Sequence, residues 1–406
     1  MKATTIFLLA MSAVFFGNAQ DVIQAGGNSN ITVAKNASVY VDGGILLENN
    51  SSIHNDGVIV LAKNNNNKSD FIDKTSSAYN YGTGRFIFTG TGLQSIKTNN
   101  QFGVVEVDNK GLNLLSDVGS DKWELKTGTV NTGSYYAIAV ASQSDWFAAD
   151  GSNSHFSNSW INGNLRQYIS PAAINNYVLP VGDANKVKLC EMDNLSRNPL
   201  TAVRYIDVSF ARSQGWSNSL QASENGMKYN SVNTAGAWNI IPDTKPTSGS
   251  FDLKLSVTDF PGLWDNRFGV LNRAGAADWM VPSGSSLPAD GTIGRTVSGG
   301  IAQRNNIRTF DQFGVASMDA LPVDAVASYK VYPDPVTENE FFIQVKNYQL
   351  RSFRVITADG KEIPVNSVTQ KDGQVKVSLP SSFAKGHYVV QLNTDQGLKS
   401  CKIIVQ

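Results

Sequence analysis

Residues that could carry acid–base or nucleophilic chemistry are few in this sequence and lie far apart. The chain of 406 residues contains three histidines, His54, His155 and His387. A serine or cysteine hydrolase would need His54 or His155 as its base, and neither has a recognisable partner nearby in the sequence. The motifs Gly-x-Ser-x-Gly, His-Glu-x-x-His and a glycine-rich phosphate loop ending in Lys-Ser or Lys-Thr do not occur. The sequence therefore predicts a protein that is not an enzyme and has no cofactor.

Carboxylate chemistry is left open by the sequence. A glycosidase needs two acids a few ångströms apart in space, and sequence spacing does not reveal such a pair. The candidates include Asp145, Asp150, Asp259 and Asp265. Many acids instead precede glycine or asparagine in turn-like settings, such as Asp42-Gly43, Asp56-Gly57, Asp150-Gly151 and Asp290-Gly291. The strict calcium loop Asp-x-Asp-x-Asp-Gly is absent, so no metal site is predicted.

Tryptophans offer a second kind of chemistry, the stacking of aromatic rings on sugars. Five of the seven tryptophans lie between residues 160 and 321: Trp160, Trp216, Trp238, Trp264 and Trp279. Packing in a core is the favoured interpretation, because Trp238 and Trp264 stand in strand-like runs. Trp216, between Gly215 and Ser217, is the candidate for an exposed ring that stacks on a ligand.

The elements that must position these residues are β-strands. Aromatic and β-branched residues are frequent, glycine and asparagine are plentiful, and no long segment has apolar residues at helical spacing. The length favours two or three domains. Acidic and basic residues balance at 34 each, which predicts no nucleic-acid partner and no attraction to an anionic membrane.

The N-terminus is typical of an exported protein. Lys2 precedes an apolar run over residues 6–16, and the small residues that end at Ala19 predict a signal peptide over residues 1–19. Cleavage between Ala19 and Gln20 is expected. No later stretch approaches the ~20 apolar residues of a transmembrane helix, so no transmembrane segment is predicted.

The region 20–159 shows short strands at close intervals. Apolar residues two apart recur with asparagine, serine and glycine between them, at Ile31–Val33, Val39–Val41, Ile45–Leu47 and Val58–Val60. Short strands with compact turns are typical of the rungs of a β-solenoid, in which each turn buries its inward residues on the next. A β-meander is the alternative.

The pattern changes over residues 160–321, where longer strands predict a β-sandwich. Residues 322–328 follow as an extended linker, because Pro322 discourages a helix. The two cysteines, Cys190 and Cys401, fall in different predicted modules and are expected to remain free thiols.

The last module, residues 329–406, is a small all-β domain. It opens with Tyr332, Pro333, Asp334, Pro335 and Val336. Two prolines that flank one residue cannot lie in a central strand, so this segment is an edge or an entry. Later turns at Asp359-Gly360 and Asp372-Gly373 separate short β-branched and aromatic runs, which indicates a series of hairpins.

These residues resemble the type A C-terminal sorting domain of the type IX secretion system. The likeness rests on the Tyr-Pro-x-Pro-Val opening, on Asp359-Gly360-Lys361 and on Gly386 and Tyr388 in a Gly-x-Tyr-x-Val sequence. The family most often has asparagine where this chain has Asp334, and both residues serve similar turns. The N-terminal region is more loosely similar to β-solenoid repeat regions of secreted surface proteins from the same Bacteroidota-type bacteria.

The resemblance implies an immunoglobulin-like β-sandwich that the secretion machinery of the outer membrane reads as a sorting signal. Such domains are usually removed as the cargo is attached to the surface or released, and the cut is expected near the linker. We therefore expect a secreted cell-surface protein, a non-catalytic adhesin or a structural protein of the surface or matrix. A polysaccharide-binding or polysaccharide-degrading factor is the alternative, and surface polysaccharides or other surface proteins are the expected partners.

Overall fold

The computed structural model describes residues 5–7, 22–63, 70–76, 78–140, 156–212, 220–318, 328–346, 350–369, 374–380, 383–394 and 397–406. Regular structure in these ranges is almost entirely β-strand, so the prediction of an all-β protein is confirmed. The chain divides into two compact units, Met1–Met318 and Asp319–Gln406. Within the described ranges, no helix has the length and apolar character needed to cross a membrane.

The first half of the N-terminal unit consists of parallel ladders. Its strands are β1 (Thr5–Phe7), β2 (Val22–Ala25), β3 (Asn30–Val33), β4 (Ser38–Asp42), β5 (Gly44–Leu47), β6 (Ser52–Asn55), β7 (Val58–Lys63), β8 (Phe71–Asp73), β9 (Arg85–Gly90), β10 (Gln94–Lys97), β11 (Gln101–Leu114), β12 (Val118–Ala139) and β13 (Ile161–Tyr168). Parallel pairing joins β2, β5, β8, β10 and β11 in one row, and β4, β7, β9, β11, β12 and β13 in another. The short strands predicted near residues 31, 39, 45 and 58 are all present.

One row of inward-facing side chains shows why this sequence stacks in parallel. Ile59, Phe86, Val105 and Trp123 are paired in register across β7, β9, β11 and β12, and all four are buried. Each strand thus removes the apolar surface of its neighbour from water, at about 25 cal/mol for each Å² buried. A single strand of this length could not bury that surface alone.

The outer face of the same strands carries stacked polar residues. Asn113, Asn131 and Asn162 are in register, and their amides form a chain of hydrogen bonds, with Asn162 Nδ2 donating to Asn131 Oδ1 at 2.8 Å. Glu106 and Glu124 also stand side by side. The Arg85 guanidinium contacts both of these carboxylates and offsets their repulsion.

The second half of the unit is antiparallel. Its strands are β14 (Tyr177–Leu179), β15 (Val181–Gly182), β16 (Cys190–Asp193), β17 (Tyr205–Ala211), β18 (Ser223–Glu224), β19 (Met227–Pro242), β20 (Phe251–Ser256), β21 (Phe268–Arg273), β22 (Ile301–Ile307) and β23 (Asp311–Met318). Strand β13 connects the parallel and antiparallel parts of the sheet, because it pairs in parallel with β12 and antiparallel with β17. The sheet continues through β19, β23 and β21, while β14, β16, β20 and β22 form a second sheet.

One buried apolar cluster runs through both halves, from Ala25 to Val315. Trp238 lies in it, and its indole Nε1 donates to the Lys188 carbonyl at 2.8 Å. The predicted module boundary at residues 159 and 160 therefore falls inside one packed unit. Residues 322–327 of the predicted linker lie outside the described residues.

The expectation that Trp264 packs in a core strand is wrong. Strand β21 begins at Phe268, four residues later, and the Trp264 side chain is 71% exposed. Gly262 and Asn266 adopt positive φ angles of 71° and 59°, which turn the chain on either side of the ring. The buried neighbours Phe260 and Phe268 produced the strand-like pattern around this turn.

The C-terminal unit contains two four-stranded antiparallel sheets. Its strands are β24 (Ser328–Tyr332), β25 (Glu340–Lys346), β26 (Leu350–Thr357), β27 (Glu362–Ile363), β28 (Asn366–Thr369), β29 (Gln374–Ser378), β30 (Gly386–Thr394) and β31 (Gly397–Val405). The sheet orders are β24-β25-β29-β28 and β27-β26-β30-β31. Residues of both sheets, including Phe341, Val377, Val355 and Val390, form one buried cluster.

Candidate sorting surface

The opening segment of the C-terminal unit leaves an edge strand and enters the core. Tyr332 ends β24, Pro333, Asp334 and Pro335 are exposed, and Val336 is buried. The peptide bonds before both prolines are cis. Since proline has no amide to donate, the segment fits the edge or entry position that the sequence predicted.

Hydrogen bonds tie this segment to the last strand of the chain. The Val336 amide donates to the Ile404 carbonyl at 2.7 Å, and the Gln406 amide donates to the Val336 carbonyl at 3.0 Å. Asp334 Oδ1 accepts a hydrogen bond from the Ile404 amide at 2.8 Å. An asparagine would present the same Oδ1 acceptor, which explains physically why aspartate can stand at this position.

The sequence Asp359-Gly360-Lys361 forms the turn between β26 and β27. The Thr357 amide donates to the Lys361 carbonyl at 2.9 Å, and the Lys361 amide donates to Thr357 Oγ1 at 3.0 Å. The Thr357 hydroxyl also donates to the Asp359 carboxylate, which lowers the pKa of that carboxyl. Gly360 has a φ of 85°, a conformation that glycine adopts without steric cost.

The third motif begins β30. Gly386 is its first residue, and Tyr388 is buried with its hydroxyl donating to the Ala384 carbonyl at 2.7 Å. The Tyr388 ring lies 4.4 Å from the Phe383 ring, measured between centroids. Tyr388 therefore packs in the core of the unit, while the preceding residue, His387, is exposed at the surface.

Strand register brings these motifs to one end of the unit. Thr357 pairs with Tyr388, which pairs with Ile403, while Val405 pairs with Gly386 and bridges to Val336. Neighbouring strands lie about 4.8 Å apart, so the three motifs are collected within roughly two or three strand spacings. Their exposed parts are the two loop tips, residues 333–335 and 359–361. We call these two loops the sorting tips.

The chemistry of this surface suits recognition by a protein. Its exposed groups are two prolines, two aspartates and one lysine on backbone held by hydrogen bonds. Cys401 is half-buried, and burial together with the charge of Asp334 raises the pKa of its thiol to about 11. Both cysteines are free, and burial raises the pKa of Cys190 as well, so neither thiol is activated.

Residues 330–406 match the family model of the secretion system C-terminal sorting domain. Comparison with curated proteins and with solved structures gave no match. The C-terminal unit is thus a type IX sorting domain, as its motifs predicted. The protein that carries it is secreted or attached to the outer cell surface, and its sorting domain interacts with the secretion machinery.

Several predicted site residues fall outside the described residues. These are Ala19 and Gln20 at the expected cleavage site, the stacking candidate Trp216, and the catalytic candidates Asp145, Asp150 and His155. They remain predictions.

The described carboxylate candidates hold structural contacts. Asp259 pairs with the buried Lys188 and lies 3.7 Å from Lys186 Nζ. Burial is the largest single effect and raises its pKa, but Lys188, Lys186 and a backbone hydrogen bond together outweigh burial, so the net pKa is lowered. Asp265 Oδ1 accepts a hydrogen bond from the Val297 amide at 2.6 Å. Both carboxylates thus hold other parts of the fold in place.

The statement that His54 has no nearby partner is wrong. His54 Nε2 lies 2.9 Å from Asp56 Oδ2; the His54 side chain is exposed and the Asp56 side chain is partly buried. Asp56 also accepts hydrogen bonds from the Thr83 amide and hydroxyl, and the amide bond is the largest cause of its lowered pKa. The sequence did not reveal this pair because the Asp56-Gly57 pattern indicated only a turn. Asp56 also fastens its own turn to the segment at Thr83.

Proposed function

We propose that the exported protein is a non-catalytic adhesin or a structural protein of the cell surface or matrix. The observation that carries this proposal is the stack of parallel strands from β4 to β13, which shares one buried cluster with the antiparallel half. Such a stack offers a long, regular face for contact with a partner. The charge balance of the chain means that this contact is not a general attraction to polyanions.

The proposed architecture is a β-solenoid-like region over residues 20–159, a β-sandwich over residues 160–321 and an immunoglobulin-like sorting domain after the linker. The in-register rows of apolar residues and the asparagine ladder support the first part. Two sheets around Trp238 and Leu253 support the second. The two four-stranded sheets support the third.

Cell fractionation tests the export part of this proposal. The full chain is compared with a version truncated after Leu321, and the mass of each extracellular form is measured. We expect the full chain outside the cell without its tail and the truncated chain in the periplasm. Equal export of both forms with the tail retained would contradict the proposed role and removal of the sorting domain.

An attachment assay tests the adhesive role. Cells that lack the protein are expected to attach less to surfaces or to matrix, and the full chain should restore attachment where the truncated chain does not. Unchanged attachment and unchanged matrix in the deleted strain would overturn the adhesive and structural roles together.

A polysaccharide-binding factor is the second candidate, and Trp264 is the observation that favours it. Its ring is largely exposed on a turn, beside backbone that Asp265 and Asn266 fasten to residues 291–297. An exposed indole on backbone held by hydrogen bonds is suited to stack on sugar rings. Release of reducing ends from a polysaccharide by the purified chain would extend this candidate to degradation.

A further inference from the structure

A cleft of about 420 Å³ opens in the antiparallel half of the N-terminal unit. It lies where β19 ends at Ile241 and Pro242 and where residues 308–310 cross from β22 to β23. The volume falls within the usual range of small-ligand sites, about 300–1,000 Å³. None of the residues that line it was singled out from the sequence.

The floor of the cleft is apolar and firmly held. Phe310 packs against Phe251 with ring centroids 5.2 Å apart, and its carbonyl accepts a hydrogen bond from Asn272 Nδ2 at 3.1 Å. Ile241 is 49% exposed although it lies within a strand. Such a surface can pack against the C–H groups of a sugar ring without rearranging.

Two cations stand at the rim. Lys245 and Arg308 are exposed, and neither pairs with a carboxylate in the described part of the chain. Neighbouring arginines behave differently: Arg204 pairs with Asp243 at 2.8 Å, and Arg166 pairs with Asp207 at 2.7 Å. The two unpaired cations thus make the rim an attractive place for a negatively charged ligand.

The wall supplies a polar group with no partner. Thr309 Oγ1 is buried and makes no hydrogen bond with the described residues. A buried hydroxyl without a partner costs about 1–3 kcal/mol, which a ligand oxygen would recover once rotation of the Thr309 side chain brings the hydroxyl into the cleft. The hydroxyl can donate to a carboxylate or accept from a sugar hydroxyl.

The carboxylate of Asp311 also lines the cleft and disfavours densely charged anions as ligands. Asp311 holds a φ of 99°, unusual for aspartate, and its Oδ2 accepts a hydrogen bond from the Gly275 amide at 2.9 Å. A densely charged anion such as phosphate would be repelled by this group. A ligand with both hydroxyl groups and a carboxylate can donate to Asp311 and present its charge to Lys245 and Arg308.

We propose that this cleft binds a carboxylated sugar, such as a uronic acid unit of an acidic polysaccharide. Its floor packs on the sugar ring, its rim cations hold the carboxylate, and Thr309 and Asp311 contact hydroxyl groups. The inference deepens the proposed function by naming the chemistry of the surface partner. It can be tested on the purified chain alone, so its failure and the failure of the adhesive role are distinguishable.

Isothermal titration of the full chain with tri-galacturonate tests the proposal, with a neutral galactose trisaccharide and a glutamate-rich peptide as comparison probes. We expect binding of the acidic sugar, with weaker binding as salt is raised. The double variant Lys245→Gln with Arg308→Gln should weaken binding by about tenfold or more, since two charge-assisted contacts are lost. The matched double variant Lys228→Gln with Arg197→Gln changes two exposed cations elsewhere that form no ion pair with the described residues, and it should leave affinity unchanged.

Thr309→Val supplies a second readout that does not depend on charge. It should weaken tri-galacturonate binding while raising the midpoint of thermal unfolding, because it removes the buried hydroxyl without a partner. No tri-galacturonate binding, equal binding of the neutral sugar, tighter binding of the peptide or full affinity in the cleft variant would each overturn the proposal. Measurable attachment by the cleft variant in cells would leave the adhesive role standing.

Discussion

The first half of the N-terminal unit and the C-terminal unit are both built from β-strands but pair them in opposite directions. The first half of the N-terminal unit stacks strands in parallel, and its inward rows need only apolar side chains of suitable size. The C-terminal unit brings three short motifs together at one end of an antiparallel sheet. Its motifs contain prolines, glycines and hydrogen-bonding side chains whose roles are position-specific. Position-specific motifs of this kind are recognisable from the sequence, and residues 330–406 match a family model.

The largest loss of stability is expected when a buried ion pair of the N-terminal unit is broken. An exposed ion pair in the C-terminal unit serves as the comparison. Arg304 is fully buried and donates to Glu224 Oε2 at 2.6 Å and to the Tyr229 hydroxyl at 3.0 Å. Arg304→Ala leaves Glu224 without its cation and should destabilise the unit by about 3–5 kcal/mol. Urea unfolding measures this loss.

Arg354→Ala is the matched change in the C-terminal unit. Its guanidinium lies 3.9 Å from Glu362, and its side chain is half exposed. The expected loss is at most about 1 kcal/mol. Equal losses for the two variants would contradict the contrast between the units.

The second prediction is that the stability of the N-terminal unit depends on pH through the neighbouring glutamates Glu106 and Glu124. Burial raises the pKa of Glu124, but contacts with Arg85 and Lys122 outweigh burial and lower it from its ordinary value of 4.5. A carboxyl with a lowered folded-state pKa stabilises the fold above its ordinary pKa, and that stability is lost as pH falls below 4.5. The N-terminal unit should therefore weaken in acid.

Arg85→Gln should cost about 1–2 kcal/mol at pH 7, because it leaves Glu106 and Glu124 side by side with less compensation. The variant should also lose less stability than wild type between pH 5 and about pH 3, since Glu124 then protonates more easily. Chemical unfolding at a series of pH values measures both effects. Lys110→Gln, at an exposed lysine of β11, is the control and should follow wild type.

A smaller loss of stability is expected when the hydrogen bond between Asp334 and Ile404 is removed. The same substitution tests whether this bond positions the sorting tips for export. Asp334→Ala removes the acceptor of the Ile404 amide and should cost about 0.5–1.5 kcal/mol in the C-terminal unit. Asp334→Asn keeps the Oδ1 acceptor and should cost almost nothing. Thermal unfolding measures stability, and the fraction of protein outside the cell measures export. Export that falls for alanine and not for asparagine indicates that this hydrogen bond positions the tips.

The smallest effect is expected at Trp264. Because its side chain is largely exposed, Trp264→Ala should change stability by no more than about 0.5 kcal/mol. Trp238→Ala, in the buried cluster, should cost about 3–5 kcal/mol. Denaturant unfolding compares the two. A large loss at Trp264 would contradict its assignment to an exposed turn and weaken the polysaccharide-binding candidate.

Local sequence patterns were informative wherever local chemistry sets the conformation. Alternating apolar residues marked β3, β4, β5 and β7, and Asp359-Gly360 marked a turn. Trp264 shows the limit of this approach, because alternation around it continued through a turn made by Gly262 and Asn266. His54 shows another limit, since its partner Asp56 was assigned to turn chemistry alone.

The sequence by itself determined the all-β class, the positions of many strands and turns, and the presence of a sorting domain. These properties depend on strand periodicity, proline and glycine geometry and short motifs, all of which are local. Only the tertiary structure decided that strands in the first half pair in parallel, that Asp334 meets Ile404, and that Lys245 and Arg308 share a cleft. Those contacts depend on register and burial between distant segments, which residue order does not encode locally.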